Sequence, residues 1–186
     1  MDTLGIISID QDSEEVRIIM IPRDMYVEYN DSIQKYMKNR DLYYSPGTFK
    51  INYTYYLGYL MQHEGKFSEI SHGVSFLVEV IEEKFNLEID DFVKIDTNGF
   101  VKVVDLFGGV DIEVPYDMYY TDATYENDED DLYIKLNKGP QHLDGKQAEG
   151  FVRFRKGTDR NGENAFEIGD IQRKENQIDF LKAFTN

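Results

Sequence analysis

The chain has 186 residues, with 36 Asp and Glu against 20 Lys and Arg, a formal net charge of −16 and no cysteine. That balance excludes a broad nucleic-acid face, which needs clustered basic charge, and the missing thiols exclude disulfide staples and thiolate chemistry. An apolar fraction of 41% suits one domain with a real core. No apolar run approaches the roughly 18 residues of a membrane span, and no signal peptide is recognisable. Met1 stands directly against Asp2 and a strand-like run follows at once, an abrupt start that predicts a longer natural protein.

In chain order, "TLGIISI" and "EEVRIIMIP" predict two strands joined by a turn. Both are almost continuously apolar, so they are expected to lie centrally, covered on both faces. "FKINYTYYLGYLMQ" is Tyr-rich and predicts a helical or irregular segment whose aromatics line a core or a pocket. "FSEISHGVSFLVEVIEEKF" has the clearest helical pattern, with Ile70, Val74, Leu77, Val78, Ile81 and Phe85 at spacings of three and four. "DFVKID" predicts a short strand, "TNGFVKVVDLFGG" a helix closed by glycines, and "VDIEVP" a strand stopped by Pro115. From Tyr116 to Leu136 the pattern predicts a hairpin with "ENDEDD" at its tip, a solvated acidic run without the spacing of a calcium loop. "LDGKQAEGFVRF" predicts a helix beginning near Asp144. "FEIGDIQRKENQIDFLKAF" predicts a last helix with Ile171, Ile178, Leu181 and Phe184 as its apolar stripe. Alternating strands and helices predict a single α/β domain over residues 1–186, three layers with a mixed central β-sheet between helices.

There is no GxSxG elbow, no HExxH and no P-loop lysine motif. His63, His72 and His142 are scattered, as surface or turn residues are. The arginines are not scattered: four of the seven, Arg153, Arg155, Arg160 and Arg173, fall between Phe151 and Gln177. Other candidates stand at the ends of predicted elements: Asp2 before the first strand, and Arg23 and Asp24 after the second. Asp170 and Arg173 are three apart, hence neighbours on a helix surface, with Gln177 one turn further on. Arginine offers a planar fork of donors that matches phosphate oxygens two at a time. A carboxylate beside phosphate is repulsive unless a cation lies between, so Arg with Asp points to phosphate with Mg²⁺. The competing reading is mutual surface pairing, which contributes about 0–1 kcal/mol per pair.

The ordered motifs decide between these. "DTLGIISID", "IPRDMYV", "KINYTYYLG", "GFVKVVDLFGGVDIEVP", "LNKGPQHLDGKQAEGFVRFR" and "GDIQRKENQ" resemble, in this order, the conserved blocks of the LytR-CpsA-Psr family of bacterial cell-envelope proteins. The resemblance covers almost the whole chain. It implies an extracytoplasmic phosphotransferase, held to the membrane by an N-terminal helix. Such an enzyme moves a glycopolymer from a polyprenyl-pyrophosphate carrier to a peptidoglycan hydroxyl through a phosphodiester, with Mg²⁺ and an apolar lipid tunnel. By match of motif, Asp2 is the expected Mg²⁺ ligand. Arg23, Arg153, Arg155 and Arg173 are expected on the pyrophosphate, and Asp170 and Gln177 complete the polar site. Asp24 or Asp170 is expected to take the acceptor proton. Residues from Tyr53 to Leu60 and from Val74 to Ile81 are tunnel candidates, and the expected state is a monomer.

The chain departs from the family pattern at Asn176, where a second helix arginine is common, and in a longer loop from Lys156 to Gly169 that brings Arg160. The family's arginine and aspartate just upstream of Asp2 would precede Met1, so weak Mg²⁺ affinity is expected. A polyprenyl-pyrophosphate hydrolase and a non-enzymatic lipid-binding or regulatory module are the competing functions. A transcriptional role lacks both a basic recognition helix and the right charge.

Overall fold

The computed structural model describes residues 3–10, 12–13, 15–121, 132–159, 161–162 and 165–185. The chain forms two compact units, Met1–Phe92 and Val93–Asn186. In the first, β1 (Gly5–Asp10) and β2 (Glu15–Met20) make an antiparallel ribbon with Ile6 opposite Ile19 and Ile9 opposite Val16. Asp10 Oδ1 accepts the Asp12 and Ser13 amides at 3.0 Å and so shapes the turn. Only Ile6 in the ribbon is buried. Ile7, Ile9, Val16 and Ile19 are 45–67% exposed, contrary to the expected double cover. These strands pair only with each other among the described residues, so their alternating side chains meet no second layer on most positions.

Three helices follow. α1 (Asp31–Lys38), which the sequence reading did not anticipate, is capped by Asn30 accepting from Ile33 N at 3.1 Å. α2 (Ile51–Met61) packs against α3 (His72–Phe85). α3 starts at the Ser71 cap, so Ile70 lies outside it and is 75% exposed. The two helices meet closely because Gly58 has no side chain: a Cβ there would stand 2.5 Å from Phe76 Cβ and 2.8 Å from the His72 carbonyl. Met37, Ile51, Leu57, Phe76 and Leu77 fill the core of this unit.

The second unit opens without the strand expected at 91–96: this stretch has no regular structure and Val93 is 91% exposed. An apolar valine with no strand partner gains nothing from an extended pairing. α4 (Thr97–Leu106) is capped by Asp96 and closed by Gly108 and Gly109, both left-handed at φ 86° and 92°. β3 (Val110–Val114) pairs with β6 (Gly139–Leu143), and β4 (Met118–Thr121) with β5 (Tyr133–Leu136). The "ENDEDD" run lies outside the described residues. A capping box at Asp144 and Gln147 starts α5 (Gly145–Arg153). β7 (Lys156–Gly157) pairs with β8 (Phe166–Glu167), and α6 (Gly169–Phe184) follows at once. The helix expected from Phe166 therefore begins three residues later. Ile171 is 77% exposed, while Phe180 and Asn176 provide its buried contacts.

The mixed α/β class holds. Within it, the described strands form four two-stranded antiparallel sheets, since short connections such as β1–β2 favour antiparallel pairing. Phe151, Phe154, Met118, Leu136, Leu143 and Val114 form the second core, beneath the helices that carry the arginines.

Candidate active site

In the first unit, "IPRDMYV" and "KINYTYYLG" come together. The Arg23 and Met25 carbonyls accept the Asn52 and Ile51 amides at 3.1 and 2.9 Å, pinning the Arg23–Asp24 corner to the start of α2. Lys50 Nζ donates to Asp24 Oδ1 at 2.7 Å, and Arg23 Nε stands 3.8 Å from the other carboxylate oxygen. Asp24 is thus held between two cations. Leu57, Val74, Leu77 and Ile81, among the lipid-tunnel candidates, are buried in the core of this unit, whereas Tyr56 and Tyr59 are exposed.

In the second unit, Asp170 is the hub. It lies in the first turn of α6, 3.1 Å from a terminal nitrogen of Arg173 and 3.6 Å from Arg155 Nε. Helical spacing brings Arg173, and the β7–β8 pair brings Arg155, because Ile168 N donates to the Arg155 carbonyl at 2.8 Å. Arg173 is nearly buried, with 11% of its side chain exposed. Asp170 Oδ1 and Arg173 Nε are buried and make no hydrogen bond among the described residues. The ion pair is close in distance but not aligned as a hydrogen bond. Arg173 therefore holds a buried donor in reserve beside a start of α6 that no side chain caps among the described residues. Both features attract anions.

Arg153 is engaged elsewhere: its Nη1 donates to Glu149 Oε1 at 2.6 Å, one turn back on α5. Glu149 is buried and also accepts from Lys146 at 3.2 Å. The sequence reading passed over Glu149, although a carboxylate four residues before an arginine on one helix is a legible pairing signal. Gln177 donates its amide to the Val152 carbonyl at 3.0 Å, tying α6 to α5 beside Arg153. Asn176, where the family pattern has arginine, is buried and donates to the Tyr116 hydroxyl at 3.1 Å. Burial pushes the Tyr116 phenol up, with the Asn176 bond opposing that shift.

Asp2 and Arg160 lie outside the described residues. Among the described residues no three His, Asp or Glu side chains gather as a metal cage. Asp24 in the first unit and Asp170 in the second each already face cationic side chains. The described side chains thus do not make a Mg²⁺ site on their own. No described helix is long and apolar enough to cross a membrane.

Comparison with known proteins agrees with the motif order. The chain is 26% identical over 182 residues to the polyisoprenyl-teichoic acid–peptidoglycan teichoic acid transferase TagV of Bacillus subtilis, covering 98% of this chain and 37% of that protein. It is 28% identical over 185 residues to the TagU transferase of Oceanobacillus iheyensis, covering 100% of this chain and 45% of that protein. The chain thus spans less than half the length of these relatives. In fold it is similar to the crystal structure of B. subtilis TagV, with a TM-score of 0.62 at 24% identity over 99% of this chain and 55% of that one. A TagT structure with bound octaprenyl pyrophosphate lipid aligns with a TM-score of 0.58 at 20% identity, over 98% of this chain and 57% of that one. The LytR_cpsA_psr family model matches residues 1–186, and the chain belongs to this family.

Proposed function

We propose that the chain is the catalytic part of an extracytoplasmic phosphotransferase that attaches a lipid-linked glycopolymer to peptidoglycan. The observation that carries this reading is the Arg155–Asp170–Arg173 cluster, whose buried Arg173 Nε has no hydrogen-bond partner among the described residues. A buried donor left without a partner costs about 1–3 kcal/mol, which a bound phosphate oxygen would return. The names of TagV and TagU describe this chemistry for the relatives.

In the proposed step, an acceptor hydroxyl oxygen attacks the sugar-linked phosphorus of the pyrophosphate. The bond to the bridging oxygen breaks, polyprenyl monophosphate leaves, and the hydroxyl proton passes to a carboxylate, Asp170 or Asp24. Arg155 and Arg173 hold the phosphate oxygens and neutralise charge that develops on the leaving group. Arg153 and Gln177 support them from α5 and α6, and Arg23 carries the same phosphate-gripping chemistry on its motif. Mg²⁺, with Asp2 as its ligand, would bind weakly without phosphate and would neutralise further charge when bound.

The test is the purified chain with a synthetic polyprenyl-pyrophosphate saccharide and soluble peptidoglycan glycan. Saccharide joined to the glycan is the expected product. Free saccharide phosphate in its place identifies a hydrolase, and lipid binding without turnover identifies a non-enzymatic module.

A further inference from the structure

The pairing of the short strands in the second unit has a consequence beyond the arginine cluster. Thr158 N donates to the Tyr119 carbonyl at 2.9 Å, and Tyr119 and Thr158 form an antiparallel bridge. This bridge joins the β4–β5 pair to the β7–β8 pair, giving one strand array in the order β5, β4, β7, β8. Side chains alternate across such an array. Met118, Ile134 and Leu136 point into the core. The opposite face carries Tyr119, Thr121, Tyr133, Lys135, Lys156, Thr158 and Glu167, following the registers Thr121–Tyr133, Tyr119–Lys135, Tyr119–Thr158 and Lys156–Glu167.

An open groove of about 610 Å³ lies along these strands, lined by the side chains of that face other than Lys135, together with Tyr120, Ile134 and Phe166 from the other side of the strands. Tyr133 is 68% exposed, with no part in the core. A tyrosine ring presents apolar C–H surface next to a polar hydroxyl. Threonine hydroxyls, a lysine and a glutamate at the margins supply both donors and acceptors. Flat aromatic surface flanked by mixed hydrogen-bonding groups suits one ligand chemistry well: a sugar ring, with an apolar face and a rim of hydroxyls. The groove is also continuous with the cluster in the chain. β7 begins one residue after Arg155, and β8 ends three residues before Asp170.

We infer that this strand face binds the acceptor glycan, a neutral chain of N-acetylated sugars, and feeds its hydroxyl toward the arginine cluster. The inference rests on the transferase reading and adds to it the place where the acceptor sits. Charge selects the occupant. The chain carries a net charge of −16, and of the charged side chains on the face the two that line the groove, Lys156 and Glu167, offset each other. A polyanionic glycopolymer would be repelled where a neutral glycan is not.

The experiment uses the 186-residue chain in nuclear magnetic resonance titrations with a soluble β-linked N-acetylglucosamine oligosaccharide, and in parallel with a glycerol-phosphate oligomer. Saturable shifts of Thr121, Tyr133 and Thr158 amides with the neutral oligosaccharide are expected. Tyr133→Ala, on an exposed ring, should weaken that binding by about 5- to 10-fold, the loss of one interfacial aromatic anchor. Tyr133→Phe should retain most of it. Arg155→Ala should leave oligosaccharide binding within about twofold while weakening retention of a polyprenyl-pyrophosphate probe by about 10- to 100-fold. Binding of the glycerol-phosphate oligomer at these amides in preference to the neutral sugar overturns the inference. So does neutral-sugar binding that ignores Tyr133→Ala, or no sugar binding by a chain that still retains the pyrophosphate probe. That last result leaves the transferase reading standing, whereas sugar binding without any pyrophosphate retention sinks the transferase reading instead.

Discussion

Two arginine–carboxylate pairings in this molecule have opposite characters. On β2, Arg17 meets Glu15 through two aligned hydrogen bonds of 3.0 and 2.7 Å, with both side chains more than half exposed. At the start of α6, Arg173 meets Asp170 at 3.1 Å without alignment, Arg155 stands 3.6 Å away, and Arg173 is nearly buried. The better-made pair is the less consequential one. Water competes for every atom of Arg17 and Glu15, so their excellent geometry adds little. The α6 cluster keeps buried polar atoms unmatched, a condition that folding does not favour.

The largest effect expected from this contrast is on the ligand. Arg173→Ala or Arg155→Ala should weaken retention of a polyprenyl-pyrophosphate substrate by about 10- to 100-fold, the worth of a charge-assisted bond. Turnover should fall by about 10³-fold if the same group neutralises the leaving phosphate. Arg155→Lys should restore little, since a point charge cannot replace the fork. Turnover in these variants equal to wild type would reduce the cluster to a second Arg17–Glu15 pair.

Glu149 sharpens the contrast, because it is buried yet fully matched by Arg153 and Lys146. Glu149→Ala should cost about 1–3 kcal/mol of unfolding free energy, with a smaller change in pyrophosphate retention than Arg155→Ala. Urea unfolding beside the retention assay reads both; an unchanged unfolding midpoint would show that the buried carboxylate is replaced by water. The α5 cap should matter somewhat less: Asp144→Ala should cost about 1 kcal/mol, seen as a lowered thermal midpoint.

His142 tests the exposed limit. Its Nδ1 faces Asp111 at 2.8 Å and its Nε2 faces the Gly108 carbonyl at 2.8 Å, so both ring nitrogens meet acceptors. These bonds, chiefly the one to Asp111, raise its pKa above 6.5, with Asp144 adding to the shift. A raised folded pKa contributes stability that is fully present below the unfolded value near 6.5 and is lost as pH rises through the folded value. A ring-proton titration should place the His142 midpoint above 6.5, and Asp111→Asn should lower it. A midpoint at or below 6.5 in the wild type would remove the interaction. The smallest effect belongs to Arg17→Ala, which should leave both thermal midpoint and pyrophosphate retention unchanged.

Helices α3 to α6 were legible because their signals are local, whereas α1, only eight residues long, was not anticipated. The apolar period of α3, the capping box of α5 and the glycines after α4 each act within a turn or two of chain. The Asp170–Arg173 neighbourhood was equally legible, as a spacing of three on a helix needs no tertiary information. What escaped was decided elsewhere. The apolar runs of β1 and β2 read as covered strands, yet cover depends on which layers reach them. Val93 and Ile95 read as strand, yet a strand needs a partner. β6, which begins Gly-Pro and has no apolar alternation, shows no period, and the two-residue strands β7 and β8 are too short to show one.

By itself, then, the sequence determined the family, the order of the motifs and the types of side chain available for gripping phosphate, since these are carried by identity and spacing along the chain. Tertiary structure alone decided which arginine has a free hand. Arg153 is occupied by Glu149, and Arg173 retains a buried, unmatched Nε beside Asp170. The reason is physical: a side chain's partners are set by what folding brings within about 3 Å of it, and burial then determines whether water can make up for a partner that is missing.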